Sequence, residues 1–154
     1  MAATRIDFVN GLTGGASATL RLNDGTADSD GNVWNVTNLV GWGGMTPAVM
    51  SMKRMATDGN VITNASYSVR NIRVTGTVHV AAGSDIWEAI QMFESCTNSV
   101  AANGKVRVYE PAGTRHALVR LNGQPAISRN SKSQHVLDWA VAFTAHAPAL
   151  IAGA

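Results

Sequence analysis

The chain is 154 residues long, enough for one domain with a real core and too short for a second sizeable one. Hydrophobic residues make up 45% of it and charged residues only 14%, against the ~25% usual in soluble domains, so few charges are left for a solvent-facing exterior and a subunit covered inside an assembly is expected. A net charge of +2, with no Lys or Arg run longer than Lys53-Arg54, excludes a nucleic-acid footprint, and the single cysteine, Cys96, excludes an internal disulfide or a multi-cysteine zinc site.

In chain order, Thr4 to Val9, Ala18 to Leu22 and Val33 to Val40 read as short strands separated by Gly-rich and Asp-rich turns, an opening meander. Residues 41–67 follow no single period. They hold Gly41, Gly43, Gly44 and Pro47, the methionines Met45, Met50, Met52 and Met55, and an Asp58-Gly59 turn, so a long loop or extended hairpin is expected. Methionine fits irregular apolar contacts, and four of them beside Trp42 suit either a flap over the domain's own core or an arm packed on a neighbouring subunit. Trp42, Met45, Met50, Met52 and Met55 are therefore the candidate interface residues.

From Arg70 to Val80 the alternation is strict. Ile72, Val74, Gly76, Val78 and Val80 share one face, with Asn71, Arg73, Thr75, Thr77 and His79 on the other, which predicts a half-buried strand. Ser84 or Asp85 then caps a helix whose Ile86, Ala89, Ile90, Phe93 and Cys96 form one apolar stripe. That helix should lie across the sheet or an open barrel end. Lys105 to Tyr109 and Arg115 to Leu121 predict a hairpin turned at Pro111 and Gly113. Ala126 to Arg129 predicts a last hairpin with the strand in which His135, Leu137, Trp139, Val141, Phe143 and Ala145 alternate with smaller residues. The expected class is mainly β: an antiparallel β-sandwich or split barrel with one flanking α-helix.

Catalytic constellations are absent from the sequence. His79, His116, His135 and His146 have no metal-ligand spacing, and no nucleophile elbow, phosphate-binding loop or dinucleotide fingerprint occurs. Asp24 to Asn32 faintly resembles a calcium loop, but aligning Gly31 with its glycine puts Thr26 and Thr37 where acidic ligands belong, so a polar turn is expected. No catalytic, cofactor or metal site is assigned. The N-terminus lacks a signal peptide's apolar stretch and no run approaches the ~18 residues of a membrane span, so synthesis in a cytoplasm without membrane insertion is expected.

The order of features from the irregular loop onward carries a family resemblance: Met52-Lys-Arg-Met-Ala-Thr-Asp-Gly59, the strand Arg70-Asn-Ile-Arg-Val-Thr-Gly-Thr-Val78, a helix, Lys105-Val-Arg-Val-Tyr109, the strand Arg115 to Leu121, and a close at Phe143-Thr-Ala-His-Ala-Pro148. Residues 33–148 resemble the N-terminal ring domain of siphophage distal tail proteins. The resemblance implies a structural virion protein of the tail tip. It further implies a single ring domain over residues 1–154, assembled as a hexamer between the tail tube protein and the tip or baseplate hub. DNA would pass through the ring only in transit, so a lumen without clustered Lys and Arg is expected. The tail tube protein and the tail terminator are alternatives of similar size, and a monomeric β-sandwich binding a carbohydrate or peptide is the reading from another class.

Overall fold

Ten alternating residues make β6 (Arg70–His79) the spine of the molecule, with Arg70, Ile72, Val74, Gly76 and Val78 all buried. Its partner is β10 (Val136–Ala145), paired antiparallel along its whole length from Val136 opposite His79 to Ala145 opposite Arg70. On the other side of β6 lies β3 (Val33–Val40), with a bulge between Val36 and Asn38. The computed structural model describes residues 4–10, 18–43, 47–53, 60–67, 69–97, 104–129, 135–145, 147 and 149–153.

The remaining strands extend this core into one nine-stranded antiparallel sheet. They are β1 (Ile6–Asn10), β2 (Ala18–Leu22), β7 (Gly104–Glu110), β8 (Gly113–Leu121), β9 (Ala126–Arg129) and β11 (Ile151–Ala152). The path runs β2, β1, β7, β8, β10, β6, β3. Strand β8 is the corner: its first part pairs β7, its end pairs β10 over Val119 to Leu121, and β9 continues along β10. The sheet thereby folds back on itself. Phe8 of β1 meets Trp139 and Phe143 of β10 edge-on, with centroids 6.0 and 5.4 Å apart.

This sheet is the expected mainly β, antiparallel fold with one flanking helix, and it stays open and does not close into a barrel. The first three strands are not a meander, because β3 leaves β2 for β6. β2 and β3 are instead the sheet's two ends, and just past β2 Asn23 N–H donates to Trp34 O (3.0 Å) and Asn23 Oδ1 accepts Val36 N–H (2.8 Å). Asn23 sits at φ 59, a left-handed conformation that asparagine tolerates better than most residues. The pairing partner was set by β6, whose half-buried length offered far more apolar contact than five-residue β2.

The helix α1 (Ile86–Thr97) starts at Asp85, whose Oδ1 accepts Trp87 N–H at 2.9 Å. Its stripe enters the open end of the folded sheet, where Phe93 stacks on Trp34 (6.0 Å, 10°) and leans on Trp139 (5.5 Å). Phe93 and Ala89 are fully buried and Cys96 nearly so, and burying each large apolar side chain is worth about 1.5–3 kcal/mol. Burial also raises the Cys96 thiol's pKa, as expected of a packing residue.

A hairpin and its root as a candidate subunit interface

The irregular stretch is an extended hairpin. β4 (Pro47–Lys53) pairs β5 (Asn60–Tyr67) antiparallel in a sheet of their own, with a register shift between Met50 and Ser51. Among the described residues these strands pair only with one another. An isolated two-stranded ribbon is marginal in water, and both its edges present unpaired N–H and C=O groups.

The root of this arm is built with unusual care. Gly41 stands at φ 86, and a Cβ on it would lie 1.8 Å from Asn71 O, so both conformation and space demand glycine. The chain then turns three successive carbonyls onto one guanidinium: Arg70 Nη1 donates to Gly41 O at 2.7 Å, Trp42 O at 3.0 Å and Gly43 O at 2.7 Å. Arg70 is buried. Desolvation first, and repulsion from Arg115 second, lower its pKa, yet it stays charged because an arginine starts so high.

Trp42 secures the other side. Its ring is buried and its Nε1–H donates to Glu110 Oε1 at 3.2 Å. Glu110 is gripped in turn by Arg115, with Nε to Oε2 at 2.5 Å and Nη2 to Oε1 at 2.6 Å. The hydrogen bonds from Arg115 hold the Glu110 carboxyl below its ordinary range, and the same contact raises Arg115. The β7–β8 hairpin forms as expected, though its turn is tighter, at Pro111 and Ala112 with Gly113 already in β8 opposite Glu110, and its tip clamps the base of the arm.

Of the five candidate residues, Trp42 lies at the root, and Met50 and Met52 hold β4 positions opposite Asn64 and Val61. Met45 and Met55 lie outside the described residues. Sequence reasoning missed Arg70, Glu110 and Arg115. A signal existed for Arg70: it shares the parity of Ile72 and Val74, so the alternation that predicts β6 also points this cation inward.

The Asp-rich segment and the histidines of β6 and β8 serve the fold itself. The Asp24 to Asn32 segment is a turn, because the Asp28 carboxylate accepts Asp30 N–H (2.9 Å), Asn32 N–H (2.8 Å) and Trp34 Nε1–H (2.9 Å). His116 is buried with Nδ1 3.2 Å from Gly153 O, beside β11. His79 ends β6, paired across to Val136 and Val33. Among the described residues no three His, Cys, Asp or Glu side chains converge, and no helix is long and apolar enough to cross a membrane.

No family model matches the chain, and no curated protein matches it in sequence. Solved structures do match. The Dit protein of phage SPP1, described as a paradigm of the hub adsorption apparatus of phages infecting Gram-positive bacteria, superposes with a TM-score of 0.52 at 16% identity, over 73% of this chain and 44% of that one. A chain of the phage p2 baseplate in its activated conformation with Sr superposes with a TM-score of 0.67 at 8% identity, over 95% of this chain and 45% of that one. The same baseplate with Ca gives 0.65 at 9% identity. The chain therefore has the fold of phage tail hub and baseplate proteins, as the resemblance in the sequence implied, and spans less than half the length of the solved chains it matches.

Proposed function

We propose that this chain is a non-enzymatic structural subunit of a long phage tail, a single ring domain assembled six-fold at the distal end and joining the tail tube to the tip or baseplate. The observation that carries this is the hairpin β4–β5: a ribbon that among the described residues pairs only with itself, on a root fixed by Arg70, Trp42 and Glu110. A ribbon that projects from a rigid base needs a second surface to cover its edges, and a neighbouring subunit supplies one. In this reading the methionine-rich arm, Met45 to Met55, packs on the next copy, and the likeness in fold to phage hub and baseplate chains supports that setting. The tail tube protein and the tip hub are the axial partners, DNA crosses the open centre in transit, and the mature location is the virion tail tip after synthesis in the host cytoplasm. No cofactor is required, because the function is interface geometry.

Light scattering after size exclusion, with two-dimensional image averages, tests the reading. Six copies of the 16.1 kDa chain give six times 16.1, about 97 kDa, with an open centre if the rotation closes. Open-ended tubes would move the chain to the tail tube role, and a strict monomer at every concentration would end the ring reading.

A further inference from the structure

The helix α1 turns a second, unrelated surface to solvent. Trp87 is 68% exposed, an aromatic of the kind that anchors interfaces. It stands at the rim of a groove of about 570 Å³ whose apolar wall is Ile86, Ile90, Pro125, Ile127 and Leu137. The exposed side of the helix carries Glu88 and Glu94, with Asp85 at its cap and no cation along its length; among the described residues Arg129 on the far wall is the one positive group lining the groove. Among the described residues neither glutamate is in an ion pair.

The opposite imbalance sits elsewhere. Cross-strand register puts Arg21, Asp7 and Arg107 side by side on the outer face of the sheet, with Thr19, Val9 and Lys105 in the next row. Arg5 joins them, its guanidinium on both Asp7 oxygens at 3.0 Å and 4.4 Å above the Tyr109 ring. Four cations thus share Asp7, which Arg5 and the Tyr109 hydroxyl (3.0 Å) already occupy, and Asp24, which Arg5 and Arg21 influence from the edge. Among the described residues Arg107 reaches Tyr109 Oη, at 3.5 Å, and its Nε has no partner. Arg5 and Arg21 lie far in sequence from Lys105 and Arg107, so composition gave no sign of the patch.

We infer that the acidic, Trp87-bearing face of α1 docks on the basic outer face of β2–β1–β7 of a second copy of this chain. The two faces cannot satisfy one another within one molecule, since α1 packs through Phe93 on the core side of the folded sheet while the cations point away from it. They are unlike surfaces on one subunit, and such a contact is heterologous: it propagates around a rotation axis and closes into a ring when the angle allows. The inference rests on the ring reading and names a contact separate from the arm. It also fits a DNA channel, because a basic face covered by a neighbour's carboxylates is kept out of the lumen.

Charge reversal tests it, with sedimentation velocity at low salt as the readout. The exposed pair Glu88→Lys and Glu94→Lys, and separately Arg21→Glu and Lys105→Glu, each lower the self-association constant about tenfold or more, through like charges brought together. The two reversals combined in one chain restore it to within about threefold. Trp87→Ala weakens association without touching charge, and circular dichroism checks that each variant is folded. Rings that ignore both reversals, or a combined chain no better than the worse single reversal, overturn the inference and leave the ring reading standing. An unaltered chain that never self-associates overturns both.

Discussion

Arg70 gives the most local test of the arm's root. Replacing it by Met keeps much of the stem but removes the donor of three hydrogen bonds, leaving the buried Trp42 carbonyl and the part-buried Gly41 and Gly43 carbonyls without it. The expected loss is about 2–4 kcal/mol in urea unfolding, and an unchanged midpoint would mean that water replaces the guanidinium at no cost. Glu110 supplies a pH test. Its carboxyl is held low in the folded protein by Arg115, so the folded state binds its proton more weakly than the unfolded chain does. That stability is complete above the unfolded value, near 4.5, and is lost as pH falls through the lower folded value. Glu110→Gln should flatten the acid limb of a pH-stability profile and leave its neutral plateau lower; an unchanged acid limb would count against the clamp.

Among elements, β6 and β10 were legible almost to the residue, because period-2 alternation over a whole strand admits one reading. The helix was equally legible from its cap and stripe. What the stripe did not announce is that Trp87, beside it, faces solvent; a helical repeat says which positions are buried and leaves the others to chance. The partner of β3 was illegible for a different reason: strand order depends on contacts far apart in sequence, and neighbours in the chain are only the commoner choice. Gly76 shows how closely two elements can meet. Trp139 lies opposite it, and a Cβ there would fall 2.6 Å from the Trp139 ring and 1.9 Å from Asn35 O. Gly76→Ala should therefore cost about 2–4 kcal/mol by overpacking, where an open strand position would gain from the same change. Phe93→Ala should cost about 3–5 kcal/mol by emptying the contact with Trp34 and Trp139. Thermal unfolding of the two variants separates a rigid core, which loses stability in both, from a plastic one, which tolerates the alanine at 76.

At the scale of the molecule, the arm can be removed cleanly. Its two ends meet at the root, where Arg70 touches Gly43, so a short Gly-Ser link in place of residues 44–68 should leave a body that unfolds cooperatively. The same change should abolish assembly; a truncated chain that still forms the full oligomer by light scattering would remove the arm from the interface. The methionines and Trp42 marked this region in the sequence, but the clamp at Glu110 and Arg115 did not, being assembled across a separation of 68 residues. That separation has a consequence in time. The ribbon can zip locally within microseconds, yet its direction relative to the body is undefined until the chain between Trp42 and Glu110 has closed and the β7–β8 turn has formed, the slow, long-range part of folding. If the arm is the subunit contact proposed above, competence to join a neighbour arrives last, as a checkpoint on the completed subunit. In pulse-labelled hydrogen exchange, amides at the arm's root should gain protection in the same phase as those of β7 and β8, and protection of the root before β7 and β8 would break this order.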